Sequence, residues 1–323
     1  IVPLEVARKN KQQVAWDQHN FAKPAFIGTK VLNDYSLEEI ASYIDWTPFF
    51  HSWEMKGSYP KILSDPERGT EATKLFNDAR AMLAKIISEK WLKANGVIGI
   101  YPANTSGDDD ITVYTDDSRK KALCTFHSIR QQTRKPEGQP NVALADFVAP
   151  SGYNDYVGTF AVTTGIGIDE KVAAFEKDHD DYNAIMLKAI ADRLAEAFAE
   201  LMHLKVRKEF WGYAKDENLS AEELIKESYH GIRPAPGYPA QPDHTEKITL
   251  FKLMDVEKNA GITLTSGLAM VPTAAVSGLY FSHPDSHYFG VGRIGRDQVS
   301  DYAKRKGMSF EEAEKWLGPN LGY

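Results

Sequence analysis

The strand-forming and helix-forming stretches of this chain arrive in blocks, and that order narrows the available folds more than any other feature. Val97–Tyr101, Ile111–Thr115, Phe126–Ile129, Val142–Val148 and Gly158–Thr164 all carry strand character and are joined by short connections. A helix is predicted on either side of this block. Over residues 66–94, Leu75, Ala79, Met82, Leu83, Ile86, Ile87 and Trp91 recur at three- and four-residue spacing, and Asn95-Gly96 reads as a left-handed stop. Residues 169–210, over a length that suggests two segments or one long one, and Thr245–Asp255 are helical again, and short strands follow at Ile262–Leu264, Leu268–Val271 and Val276–Phe281. Two closing helices are predicted over Asp297–Lys306 and Ser309–Leu317. A doubly wound sheet requires strand and helix to alternate; grouped elements favour an α+β fold.

Local signals punctuate this plan. Ser36, Ser220 and Ser309 each precede a Glu by three residues, the arrangement in which a hydroxyl caps a helix start. Residues 1–35 read as mixed and extended, and Thr47-Pro48 reads as the break of the first short helix, because proline lacks a donor. No internal repeat or low-complexity linker interrupts the 323 residues, so a single domain over residues 1–323 is expected.

Composition bounds the function. Hydrophobic content of 42% and charged content of 26% fit a globular chain and exclude a disordered or coiled-coil one. The net charge of −7 argues against nucleic-acid binding, and no apolar run is long enough for a membrane span. One cysteine, Cys124, permits neither an intramolecular disulfide nor a thiolate zinc cluster, which suits a reducing, cytoplasmic setting. The chain begins at Ile1 rather than Met, as an excised module of a larger protein would.

Two motifs fail their context. Gly290-Val291-Gly292-Arg293-Ile294-Gly295 is a literal G-x-G-x-x-G, but only helix follows it, where a dinucleotide site needs a βαβ unit. His283 and His287 have H-x₃-H spacing, yet Pro284 breaks any shared helical face and no further ligands are evident. No nucleophile elbow, P-loop or H-E-x-x-H occurs, so neither a catalytic residue nor a metal site is assigned.

One segment stands apart. Arg233-Pro234-Ala235-Pro236-Gly237-Tyr238-Pro239 places three prolines within six positions, which holds the strip extended and removes three donors. Gly237 allows close approach of a ligand or another backbone, Arg233 offers a fork for a carboxylate, and Tyr238 a ring with a polar tip. A rigid surface connector would have the same composition.

Together with Tyr43-Ile44-Asp45-Trp46-Thr47-Pro48-Phe49-Phe50 and Ser282-His283-Pro284…Tyr288-Phe289, this strip resembles the activation domain of cobalamin-dependent methionine synthase. The similarity runs from the first residues to Asp301-Tyr302…Arg305-Lys306-Gly307. It implies a single C-shaped α+β domain with a central twisted, largely antiparallel sheet and flanking helices. It also implies that S-adenosylmethionine binds here, with Asp45, Arg233, Ala235, Gly237, Tyr238, Tyr288 and Phe289 as its binding residues, and Glu196 and Glu227 as weaker candidates. Arg233 would take the ligand carboxylate, and Asp45 its positive charge.

The implied role is reactivation of a methyltransferase: an oxidised cob(II)alamin is reduced by flavodoxin and remethylated from S-adenosylmethionine. Cobalamin and zinc would sit on other domains of the same enzyme, and the cobalamin domain and flavodoxin would be the partners. Arg119-Lys120-Lys121, Arg130-Arg134-Lys135 and Lys205-Arg207-Lys208 are candidate basic patches for an acidic flavodoxin. The alternative is a docking module that recruits flavodoxin and caps the cobalamin domain without binding S-adenosylmethionine.

Overall fold

The computed structural model describes Ile1–Tyr323. Its central sheet is made of β1 (Gly28–Tyr35), β2 (Lys93–Ser106), β3 (Asp110–Tyr114), β4 (Ala122–His127) and β5 (Tyr156–Ile166). After a small hairpin of β6 (Thr263–Leu264) and β7 (Met270–Val271), β8 (Ala275–Tyr280) completes it. The order is β4-β3-β2-β5-β8, with β1 also on β2, and every pairing is antiparallel. Strand β2 is the spine: β1 and β5 flank its first part, and β3 pairs with Ala103–Ser106 beyond β1.

Period-two alternation sends β2 side chains into two separate cores. Ala94, Ile98 and Ile100 join one cluster, while Val97, Tyr101 and Ala103 join the other. In β5, Phe160 and Val162 face the first and Val157 and Ala161 the second, so both faces are covered and the strand is buried along all but its last residue.

The helices are α1 (Leu4–Lys9), α2 (Leu37–Ala41), α3 (Thr47–Ser52), α4 (Gly69–Ser88), α5 (Ile168–Lys177) and α6 (Asp181–Lys205). They continue with α7 (Ala221–Ile225), α8 (Glu246–Met254), α9 (Val256–Ala260), α10 (Arg296–Lys306) and α11 (Phe310–Trp316). Helices α3, α4 and α6 cover the first face, and α8 and α9 the second. The 25-residue α6 buries Leu187, Ile190, Leu194, Phe198, Leu201 and Met202, the full length of one face. No helix is long and apolar enough to cross a membrane.

A third, smaller cluster gathers Val291, Ile294, Val299, Tyr302 and Leu317 around α10 and α11. Buried charges join it to the sheet. Arg130, with no exposed surface, bonds Asp109 and Asp146 at 2.7 Å each, and with the carbonyls of Asn141 and Asp108 all five of its N–H groups are used. Arg8 clasps Asp109 and Asp301, each at 2.7 Å. The chain ends meet here: Val2 N–H donates to Gln132 O, Gly322 N–H to Ile294 O, and Ile1 and Tyr323 line one depression.

Several sequence expectations need correction. Helix α4 stops at Ser88 rather than 94, because Lys90 takes the left-handed turn (φ 53°) and Trp91 N–H returns to Ile86 O. Asn95-Gly96 therefore lies inside β2. Val142–Val148 is not a strand: Asp146 turns back to accept from Ala143 N–H and grips Arg130, winding Leu144–Phe147 into a 3₁₀ turn. Of the two arrangements open for 169–210, the structure takes two segments, divided where His179 adopts φ 56° and Asp180 caps α6, with a π-helical turn at Val206–Phe210 as its end. Residues 1–35 contain α1 and the largely exposed edge strand β1. Pro48 opens α3 from its first turn, the one place in a helix where a missing donor costs nothing. The three serine caps form at Ser36, Ser220 and Ser309.

Candidate functional site

The proline strip runs beside β8. Ile232 bridges Phe281, and Leu279 N–H donates to Pro234 O at 2.9 Å. Beyond it the chain turns sharply: Gly237 N–H reaches Gln241 O at 2.7 Å and Tyr238 N–H reaches Ala235 O. Gly237 sits at φ +92°, and a Cβ there would come within 2.6 Å of His244 Nδ1 and nearer still to Cε1. Only glycine fits, so the turn lies flat on the imidazole. His244 is fixed in turn by Lys247, whose ammonium is 3.0 Å from its Nδ1 and donates to Leu268 O at 2.9 Å.

A cleft of about 470 Å³ opens between this strip, β8, α6 and the Tyr288–Phe289 segment. Arg233, Ala235, Tyr238, Tyr288 and Phe289 line it, with Phe160, Pro234 and Val276 as its apolar wall. Tyr238 is 61% exposed, and Ala235 N–H has no acceptor within the protein. Gly237 shapes the cleft from behind rather than lining it.

A recess of about 210 Å³ adjoins, sharing Glu196, Glu227 and Arg233 with the cleft. It holds four carboxylates, Asp45, Glu196, Glu200 and Glu227, against two guanidiniums, Arg193 and Arg233. Arg193 is also paired with Asp192. The recess is thus net negative and suited to a cationic group. Asp45 Oδ1 accepts from Thr47 N–H at 3.0 Å in the turn that leads into α3, and Oδ2 is left without a protein partner. Burial raises the Glu196 carboxyl above its ordinary range, and it makes no hydrogen bond or ion pair within the protein. The structure thereby places Glu196 in both the cleft and the recess, on an equal footing with the residues favoured by sequence.

Arg233 is less free than its sequence context suggests. Nη2 bonds Glu200 Oε2 at 2.8 Å, and Nη1 is shared between His203 Nδ1 at 3.0 Å and Tyr229 Oη at 3.1 Å. Burial opposes its charge, but Glu200, Tyr229 and Tyr288 together outweigh it and keep the guanidinium firmly protonated. Three of its five N–H groups are committed, leaving Nε–H and one Nη2–H for a ligand. Tyr288 Oη accepts from Arg233 N–H and bonds Tyr229 Oη, each at 3.0 Å, so the two sides of the cleft are tied together.

Glu200, His203 and Tyr229 were missed in the sequence. The signal was a polar stripe on an otherwise apolar helix: Glu196, Glu200 and His203 are spaced four and three apart, one face of α6. The proposed basic patches also change. Arg119 bonds Ala103 O, Asn104 and Asp155 O, Arg130 is fully buried, and Arg207 is buried against Glu217. Each trio loses one member to the interior.

The profile of the family described as vitamin B12 dependent methionine synthase, activation domain, matches residues 36–307. A solved structure, described as the crystal structure of the MetH reactivation domain bound to AdoHcy, is 55% identical in sequence. The match covers 100% of this chain and 99% of that one, with a TM-score of 0.97.

Proposed function

The chain belongs to the activation domains of vitamin B12-dependent methionine synthases, and from that premise we propose that the Arg233–Pro239 cleft binds S-adenosylmethionine and presents its methyl group for reductive reactivation of the enzyme's cobalamin. The methyltransferase activity belongs to the family; the assignment of residues and steps is our reading. The observation that carries it is the pairing of a half-committed arginine with a net-negative recess. The ligand is an amino acid joined through a sulfonium to adenosine, so it needs an anion site and a cation site a few ångströms apart. S-adenosylhomocysteine in the related structure is the same molecule without the transferred methyl group.

In this reading the free Nε–H and Nη2–H of Arg233 take the carboxylate, a charge-assisted contact. Asp45 and Glu196 face the ammonium and the sulfonium, and the desolvated Glu196 regains a counter-charge when the cation arrives. Ala235 N–H and the exposed Tyr238 ring complete the cradle, with Phe289 and Val276 along its apolar side. Cobalamin on a neighbouring domain supplies the nucleophile for the methyl group, with flavodoxin as the electron donor. A sulfonium releases its methyl group without a proton transfer, so the chain's residues bind and orient rather than act as acid or base. Without the cobalamin domain, the isolated chain binds but does not turn over.

Titration calorimetry with S-adenosylmethionine tests the reading. Saturable binding is expected, weakened by Asp45→Asn and, more strongly, by Arg233→Ala, whose lost charge pair costs about 2–5 kcal/mol. Absence of binding, or binding indifferent to both substitutions, would sink it in favour of a docking module.

A further inference from the structure

We propose that His203 is a positioning residue for the ligand carboxylate, acting through Arg233; this rests on the reading of the cleft given above. His203 has no exposed surface and lies on α6 below the cleft. Its ring stacks on Tyr280 with centroids 5.3 Å apart and meets the edge of Tyr229 at 4.6 Å, so it has little room to turn. Nδ1 lies 3.0 Å from Arg233 Nη1.

A guanidinium can only donate, so Nδ1 must carry a lone pair and the imidazole must be neutral with its proton on Nε2. Burial, reinforced by the charges of Arg233 and Arg207, holds it in that form. Nε2 is then directed toward Tyr213 Oη, 3.4 Å away. The remaining Nη1 hydrogen goes to Tyr229, and Glu200 takes one from Nη2. His203 thus turns one end of the fork inward and leaves the Nε and Nη2 hydrogens for an incoming carboxylate. The same network continues from Tyr229 to Tyr288.

The role predicts an effect confined to the carboxylate. Two probes separate it: S-adenosylhomocysteine, and 5′-methylthioadenosine, which keeps the nucleoside and thioether but lacks the amino acid. In calorimetric titrations of the purified chain, His203→Leu should weaken S-adenosylhomocysteine at least about tenfold, the scale of a hydrogen bond to a charged group. Methylthioadenosine should change less than about twofold, because its contacts bypass Arg233. His203→Asn, whose amide oxygen reaches the Nδ1 position, should stay within about threefold of the parent, whereas His203→Gln, which reaches toward Nε2, should not. In an Arg233→Ala background, His203→Leu should have no further effect.

Equal losses for both probes, or an undiminished loss in the Arg233→Ala background, would overturn the proposal and leave a merely structural histidine. Should leucine unfold the chain, equal affinities of the Asn and Gln variants would overturn it as well. A parent chain that bound neither probe would defeat the reading of the cleft itself, a result distinct from all of these.

Discussion

Replacing Gly237 with alanine should damage the chain through one identifiable contact. The residue sits at φ +92°, where an L side chain is strained by about 1–2 kcal/mol. Alanine recovers about 0.4–1 kcal/mol by restricting the unfolded chain, so the backbone alone costs roughly 1 kcal/mol. The larger part is steric: the new methyl would overlap the His244 ring, 2.6 Å from Nδ1, and His244 cannot retreat freely while Lys247 holds it. Overpacking of this kind costs about 1–3 kcal/mol more. Gly138 is the control, with φ +80° and nothing within 4 Å of its virtual Cβ, so Gly138→Ala should show the backbone cost alone. Urea denaturation of both variants, and of Gly237→Ala combined with His244→Ala, completes the test. The imidazole deletion should relieve the overlap, giving a favourable coupling of about 1–3 kcal/mol in the double-mutant cycle. If Gly237→Ala costs no more than Gly138→Ala, or the coupling is near zero, the turn does not rest on His244 as argued.

Two further outcomes follow from buried charge. Arg130→Met leaves Asp146 without its only cationic partner and should destabilise the chain by about 3–5 kcal/mol in urea unfolding; a loss under about 1 kcal/mol would mean that water or a neighbour replaces the guanidinium. His283, buried against His19 and Trp16, has its pKa pushed down to about 4 by burial, then by His19. An unfolded histidine titrates near 6.5. The unfolded chain therefore takes up a proton first, and stability carried at this site is lost as pH falls from about 6.5 toward 4. His283→Phe should flatten that part of the stability–pH curve relative to the parent, and an unchanged slope would show that the ring is not held neutral.

The grouping of strands and helices was legible because apolar periodicity survives wherever one face is buried, as in α4 and α6. Boundaries failed where non-glycine residues adopt left-handed turns. Lys90 follows α4 in the left-handed region with no glycine to announce the end, and the nearby Asn95-Gly96 suggested a later stop. The strand expected at Val142–Val148 failed because Asp146 is committed to Arg130, a partner sixteen residues away that local pattern cannot reveal. At the candidate site, the proline strip was conspicuous because its chemistry is local. Glu200 and His203 were not, since their meaning comes from Arg233, thirty-three and thirty positions away, and a histidine on an apolar helix looks like any other core residue. The basic trios erred for the opposite reason: a run of cations looks exposed until one member turns inward, as Arg207 does toward Glu217.

The meeting of the chain ends has a mechanical consequence. Tension applied between Ile1 and Tyr323 would first load the hydrogen bonds of Val2 N–H to Gln132 O and Gly322 N–H to Ile294 O, and behind them that of Leu4 N–H to Asp297 and the clasp of Arg8 on Asp301. The strands β2, β5 and β8 lie in the interior of the sequence and would bear no load until that clasp gave way. The cleft is built on β5, β8 and α6. Its shape is thereby shielded from tension on the ends.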